Sequence, residues 1–353
     1  MKYTLDKYNQ LSFISTLVGL PPEYSNVYTW LVNLPMWYWG HQNYRDTILK
    51  RKFLYEYPVC YTDEKGVVRT KKESKYMNLT VKGTTTENGK FQFLSLNDMN
   101  VLDALLYLST QPDVKREKDK KDGCYVIELT NNKIYETLNK KIVSTEIRKS
   151  IMRIRETSLY ISDENGKNFV SIDNIITQYG EKDRDDENNG KRTIYYIKWN
   201  SKFTDEIERN ITNIINYEVL LSLKNPMSKY LMKKMVMWNY WSIKEPDRYY
   251  HTNSLFDLLM NSGYEFDTEV HKNNSMSAFR TAIRELTAKG LLKEIQFEPI
   301  KERNKIVDYK IIKMIPSDDI IKNTLNQPTR MGNKRILHSG KKKKVIHITD
   351  PEY

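Results

Sequence analysis

The stretch from Asn225 to Ile312 permits very few folds, because each of its segments ends on residues that dictate the next. Asn225-Pro226 starts a helix, with Asn able to cap and Pro suited to the first turn. The run Met227 to Trp241 is so dense in Met, Leu, Val, Trp and Tyr that this helix is expected to be mostly buried. Tyr249-Tyr250-His251 is short and extended, and Thr252, Asn253 and Ser254 offer caps for a short helix, Leu255 to Met260. Gly263 supplies a turn. A second helix is expected from about Ser275 to Lys289, and Gly290 stands where a left-handed C-cap belongs. Leu291 to Phe297 and Ile306 to Ile312 then read as strands joined by the polar turn Lys301-Glu302-Arg303-Asn304-Lys305.

The first half repeats this order. Ser95 caps a helix running to about Ser109, with Met99, Leu102, Leu105, Leu106 and Leu108 on one broad face. Tyr125 to Leu129 reads as a short strand, Thr130 begins a short helix through Leu138, and Ser144 or Thr145 caps another that carries Ile147, Ile151 and Ile154. Leu159 to Ser162 and Asn168 to Ile172 flank a hairpin turn at 163–167, and Thr193 to Trp199 reads as an additional strand. Helix, short strand, helix, helix, hairpin is the order of a winged helix, which places its last helix in the DNA major groove. The expected class is therefore α+β: two tandem winged-helix domains followed by a disordered basic tail. The expected division is an N-terminal extension at 1–50, a first domain at 51–200, a second at 201–316 and the flexible tail at 317–353.

Composition narrows the function classes. A chain of 353 residues suggests two or three compact domains. The net charge of +12 favours a polyanionic partner, because Lys and Arg neutralise phosphates and release their counterions. From Arg330 to Lys344 the tail holds seven basic residues and no acidic one; it either tracks phosphates or serves solubility. Pro112 to Gly123 and Gly180 to Gly190 are so charged that both are expected to be solvated loops. No apolar run approaches the ~20 residues of a membrane span, and Met1 to Gln10 lacks the pattern of a signal peptide, so the expected compartment is the cytoplasm with no membrane partner. Cys60 and Cys124 read as ordinary thiols. There is no G-x-x-x-x-G-K-[ST] loop, and His41, His251, His271, His338 and His347 are scattered. No enzyme activity, cofactor or metal is expected.

The DNA chemistry is expected on two helices and two turns. On Ser275 to Lys289, Phe279, Ile283 and Leu286 form the packing stripe, while Ser277, Arg280, Thr281 and Arg284 fall opposite. Arg280 and Arg284 are four apart, so their guanidinium groups leave the same face, suited to guanine edges or flanking phosphates. Lys301, Arg303 and Lys305 on the turn are candidate phosphate contacts. In the first half Arg148, Lys149 and Arg153 surround the Ile stripe, and Lys167 lies at the hairpin turn.

Three stretches resemble the theta-type plasmid replication initiators, the Rep proteins with tandem winged helices, including their TrfA-like branch. Phe91 to Ser109 is similar to the entry into the family's first winged domain, Leu220 to Trp241 to the entry into the second, and Leu255 to Lys310 to the second helix-turn-helix and wing. Leu34 to Trp37, Tyr44, Arg45 and Arg51 to Leu54 resemble the TrfA-like entry region. The likeness implies a protein that binds direct repeats at an origin as a monomer, helps open an adjacent A·T-rich segment and recruits host initiator, helicase or clamp proteins. It also implies a homodimer, formed through the first domain, that binds inverted repeats and represses its own gene. By the same likeness the recognition helices are about Ser144 to Glu156 and Ser275 to Lys289. The alternative is a winged-helix transcriptional regulator without a replication role.

Overall fold

Two hydrophobic cores organise the chain in the computed structural model. It describes residues 24–320 except 33, 40–47, 63–67, 86–90, 112, 164–168, 173, 187–189, 209–212, 243–249, 253 and 266–267, together with 335–337 and 344–346. From the N-terminus, β1 (Tyr24–Val27) and α1 (Thr29–Val32) precede a long hairpin of β2 (Ile48–Thr62) and β3 (Val68–Lys82). Two short strands, β4 (Thr84–Thr85) and β5 (Phe91–Gln92), lead into α2 (Leu96–Leu108). Then come β6 (Lys115–Lys118), β7 (Tyr125–Thr130), α3 (Asn131–Thr137), α4 (Ser144–Glu156), β8 (Ser158–Asp163) and β9 (Phe169–Ile172). A hairpin of β10 (Ile176–Asp186) and β11 (Gly190–Trp199) is followed by α5 (Ser201–Glu208), β12 (Asn213–Asn216) and α6 (Tyr217–Ser222). The second half holds α7 (Pro226–Ser242), β13 (Tyr250–Thr252), α8 (Leu255–Asn261), α9 (Glu269–Ala288), β14 (Leu292–Glu302) and β15 (Lys305–Pro316). In the tail, β16 (Arg335–Leu337) pairs with β17 (Lys344–Ile346); the rest of the basic arm lies outside the described residues.

In the second half, β13, β15 and β14 form one antiparallel sheet in that order, under the helices α7, α8 and α9. Ser254 caps α8 through its hydroxyl, which accepts from the Asp257 amide at 2.9 Å. Its core takes Met227, Leu231 and Met235 from α7, Leu255 and Leu259 from α8, and Phe279, Ala282 and Leu286 from α9. Gly290 adopts the left-handed conformation (φ +66°) between α9 and β14.

The first half has the same helix order but a different sheet. Its short strand β7 pairs with β6 and β11, whereas β8 pairs with β3 and β9, so two four-stranded sheets replace the single three-stranded one. The core is built on α2, where Val101, Leu102, Ala104 and Leu105 have no solvent exposure. The Asp98 carboxylate closes the first turn of α2 by accepting from the Ser95 amide (2.7 Å) and hydroxyl (2.8 Å).

Four expectations are corrected. Residues 180–186, read as loop, continue β10 against β11; the pairing satisfies the backbone, so an edge strand needs no apolar alternation. Within 112–123, β6 is likewise an edge strand, held by Lys115 on Glu128 (3.3 Å) and by Arg116 donating to the Ser109 (2.8 Å) and Gln111 (2.9 Å) carbonyls. The stretch 1–50 is more than an extension: Tyr28, Leu31, Leu34, Met36 and Trp37 enter the first core, Val27 and Val32 the second, and β1 pairs with β12. The N-cap of α4 is Val143, and the Ser144 hydroxyl instead meets the Asn131 side chain of α3.

The two halves are joined at defined points. Asn261 at the end of α8 makes a reciprocal pair with the edge strand β2, accepting from the Leu54 amide (3.0 Å) and donating to the Leu54 carbonyl (2.8 Å). The Trp39 indole donates to the Ser262 carbonyl (2.9 Å), and the Tyr76 hydroxyl to Asp257 (2.8 Å). Gly263 follows Ser262 at φ +95°, and a Cβ there would lie 2.5 Å from the Trp37 carbonyl oxygen, so this turn admits glycine alone. On the other side Lys233 of α7 pairs with the buried Asp103 of α2 at 2.6 Å. No helix among the described residues is long and apolar enough to cross a membrane.

Candidate nucleic-acid interface

Among the described residues of the second half the longest helix is α9, packed on one side and exposed on the other. Thr268 caps it, its hydroxyl accepting from the His271 amide at 3.1 Å. Met276, Phe279, Ala282 and Leu286 recur at helical spacing and are buried. Phe279 packs edge-on against Phe297 of β14 with ring centroids 6.0 Å apart. Glu285 locks the helix axis to α7: its carboxylate accepts from the Lys224 amide (2.7 Å), the Asn225 amide (3.2 Å) and the Ser228 hydroxyl (2.6 Å). Burial alone would raise this carboxyl, but these hydrogen bonds hold it below its ordinary value.

On the outer face Ser277, Arg280, Thr281 and Arg284 are all exposed. The Thr281 hydroxyl donates to the Ser277 carbonyl (2.9 Å), which folds that side chain against the helix. Among the described residues, neither Arg280 nor Arg284 has an ion-pair partner, so both guanidinium groups are available to an outside anion. The helix starts at Glu269, six residues before the expected Ser275, which adds Val270, Asn273 and Asn274 to the same exposed side. The signal that could have found them is Thr268 followed by Glu269, a cap with an acid in the first turn.

Beside α9 stands the β14–β15 hairpin. Its last rung pairs Glu302 with Lys305, leaving a two-residue turn with Arg303 at φ +45° and Asn304 at φ +65°. Asn suits that conformation; Arg is disfavoured there. Lys301, Arg303 and Lys305 are exposed, so this arm presents cations at its tip.

The first half treats its third helix differently. Arg148 on α4 is exposed but lies 2.6 Å from Glu181 of β10, which also receives the Tyr179 hydroxyl. Lys149 is exposed. Arg153 is removed from the candidate DNA contacts: its guanidinium is buried on Asp98 (2.8 Å) and Glu146 (2.5 Å), with a further bond to the Ser150 hydroxyl (3.0 Å). Asp98 is fully buried, so the carboxylate that closes α2 also requires this internal counter-ion. Lys167 lies outside the described residues.

No family model matches the chain and no curated protein matches it. Among solved structures, a Pi initiator protein in complex with iteron DNA is similar at 14% sequence identity and a TM-score of 0.41, over 64% of this chain and 92% of that one.

Proposed function

We propose that this protein binds double-stranded DNA in a sequence-specific manner, with α9 as its main recognition helix. One observation carries the reading: a single helix is anchored by Phe279, Leu286 and Glu285 and turns Arg280 and Arg284, unpaired among the described residues, outward beside a hairpin tipped with Lys301, Arg303 and Lys305. The order α7, β13, α8, α9, β14, β15, with the sheet order β13-β15-β14, supports reading 201–316 as a winged-helix domain. In that arrangement α9 enters the major groove and the hairpin follows the adjacent phosphates. Residues 51–200 are a second, modified unit of the same kind, which contributes Lys149 and Arg148 to backbone contacts and serves dimerisation.

The finer reading is a plasmid-type replication initiator, acting without enzymatic chemistry. It rests on the sequence resemblance to tandem winged-helix Rep proteins. Repeated binding would bend and unstack neighbouring A·T-rich DNA, whose deformation costs least, and host replication proteins would load there. DNase footprinting on the DNA flanking its own gene tests both levels. Protected direct repeats beside an A·T-rich tract support initiation. A single protected palindrome favours a regulator instead, and no protection at nanomolar protein removes the DNA-binding reading.

A further inference from the structure

The exposed side of α9 carries two chemistries in sequence. At about 100° per residue, Val270, Asn273, Asn274, Ser277, Arg280, Thr281 and Arg284 fall within one arc of about 120°, and all are exposed. The C-terminal part of the arc is cationic. The N-terminal part is apolar and amide-bearing: Val270 is 65% exposed, and Asn273 and Asn274 stand side by side in the second turn. Asparagine is a poor helix interior residue, and an exposed valine gains nothing from packing. Neither asparagine caps the helix, since Thr268 does. Three unfavourable local choices on the outward face therefore call for an external partner.

We infer that this arc reads bases, and that the site it reads is asymmetric. The inference rests on the DNA-binding reading above. Asparagine matches the N6/N7 edge of adenine, an aliphatic side chain matches the thymine methyl, and arginine matches O6/N7 of guanine. The N-terminal half of α9 thus selects A·T pairs and the C-terminal half selects G·C pairs. Asn273 and Arg284 are eleven residues apart, about 16 Å along the axis. At ~3.4 Å per base pair this separates the A·T and G·C determinants by roughly four to five base pairs on one strand face.

The test uses the full-length chain and the duplex found by footprinting. Each thymine is replaced in turn by deoxyuridine, which lacks only the methyl group, and each guanine and each adenine by its 7-deaza analogue, which lacks only N7. The parent is expected to lose roughly 5-fold or more at one thymine and at one or two guanines. Val270→Ala abolishes the sensitivity to that thymine and leaves the guanine profile intact. Arg280→Ala and Arg284→Ala do the reverse, and Asn273→Ala and Asn274→Ala relax the preference for adenine at the same end. If the Val270 and Asn variants keep the parent's thymine and adenine profiles while the Arg variants lose the guanine profile, the base assignment is overturned and the DNA-binding reading stands. If the parent shows no base dependence anywhere, both fall.

Discussion

The helices that occupy corresponding places in the two halves, α4 and α9, share a position in the element order but not an electrostatic environment. On α4 one arginine is turned inward: Arg153 neutralises Asp98 and Glu146, and Arg148 on the surface is matched by Glu181. On α9 the inward-facing charge is an acid, Glu285, which receives backbone and hydroxyl donors from the start of α7, while Arg280 and Arg284 stay outside. The same helix order thus goes with paired Arg148 and Arg153 in one half and exposed Arg280 and Arg284 in the other.

The largest expected difference lies in Arg153. Arg153→Ala leaves Asp98 buried without its cation and is expected to destabilise the protein by about 3–5 kcal/mol in urea unfolding. DNA affinity of the folded fraction stays unchanged. A loss of affinity without loss of stability would mean that α4 presents this residue after all.

Glu285 comes next. Glu285→Gln is expected to cost about 1–2 kcal/mol, since the carboxylate is only partly buried and its bonds are charge-assisted. Because this carboxyl is held below its ordinary value, its contribution is fully present above the unfolded value of ~4.3 and is lost as pH falls through the folded value. The parent should therefore lose more stability than Glu285→Gln between neutral pH and pH ~3. Parallel pH profiles would show that the tie between α9 and α7 contributes nothing.

The smallest effect is expected at Arg148. Its guanidinium is already paired with Glu181 at the surface, so Arg148→Ala should change DNA affinity less than the loss of either α9 arginine. Glu181→Gln, which frees the guanidinium, should tighten binding slightly. An Arg148→Ala loss equal to that of an α9 arginine would erase the contrast between the halves.

How much of this was legible in the sequence follows from the range of each interaction. Ser95, Thr130, Ser254 and Gly290 act within a few residues of themselves, and each lies at the element boundary expected of it. The α9 stripe was legible for the same reason: Phe279 and Leu286 are buried where helical spacing puts them, and Arg280 and Arg284 are exposed. Arg153 was misread because its partner Asp98 is 55 residues upstream, and a basic residue on an amphipathic helix looks the same whether its counter-ion is internal or a phosphate. The strand at 180–186 was missed because cross-strand pairing with 190–196 leaves no mark in its charged side chains. The packing of 27–37 into both cores depends on partners far along the chain, and local pattern does not encode it.

The most direct measurement is the affinity of the Arg280→Ala/Arg284→Ala double variant for the footprinted duplex at fixed salt, beside its urea unfolding curve. The expected result is a loss of about 1–3 kcal/mol per arginine in binding with an unfolding midpoint close to the parent's. Equal affinity in variant and parent, with both folded, would contradict it and take α9 out of the interface.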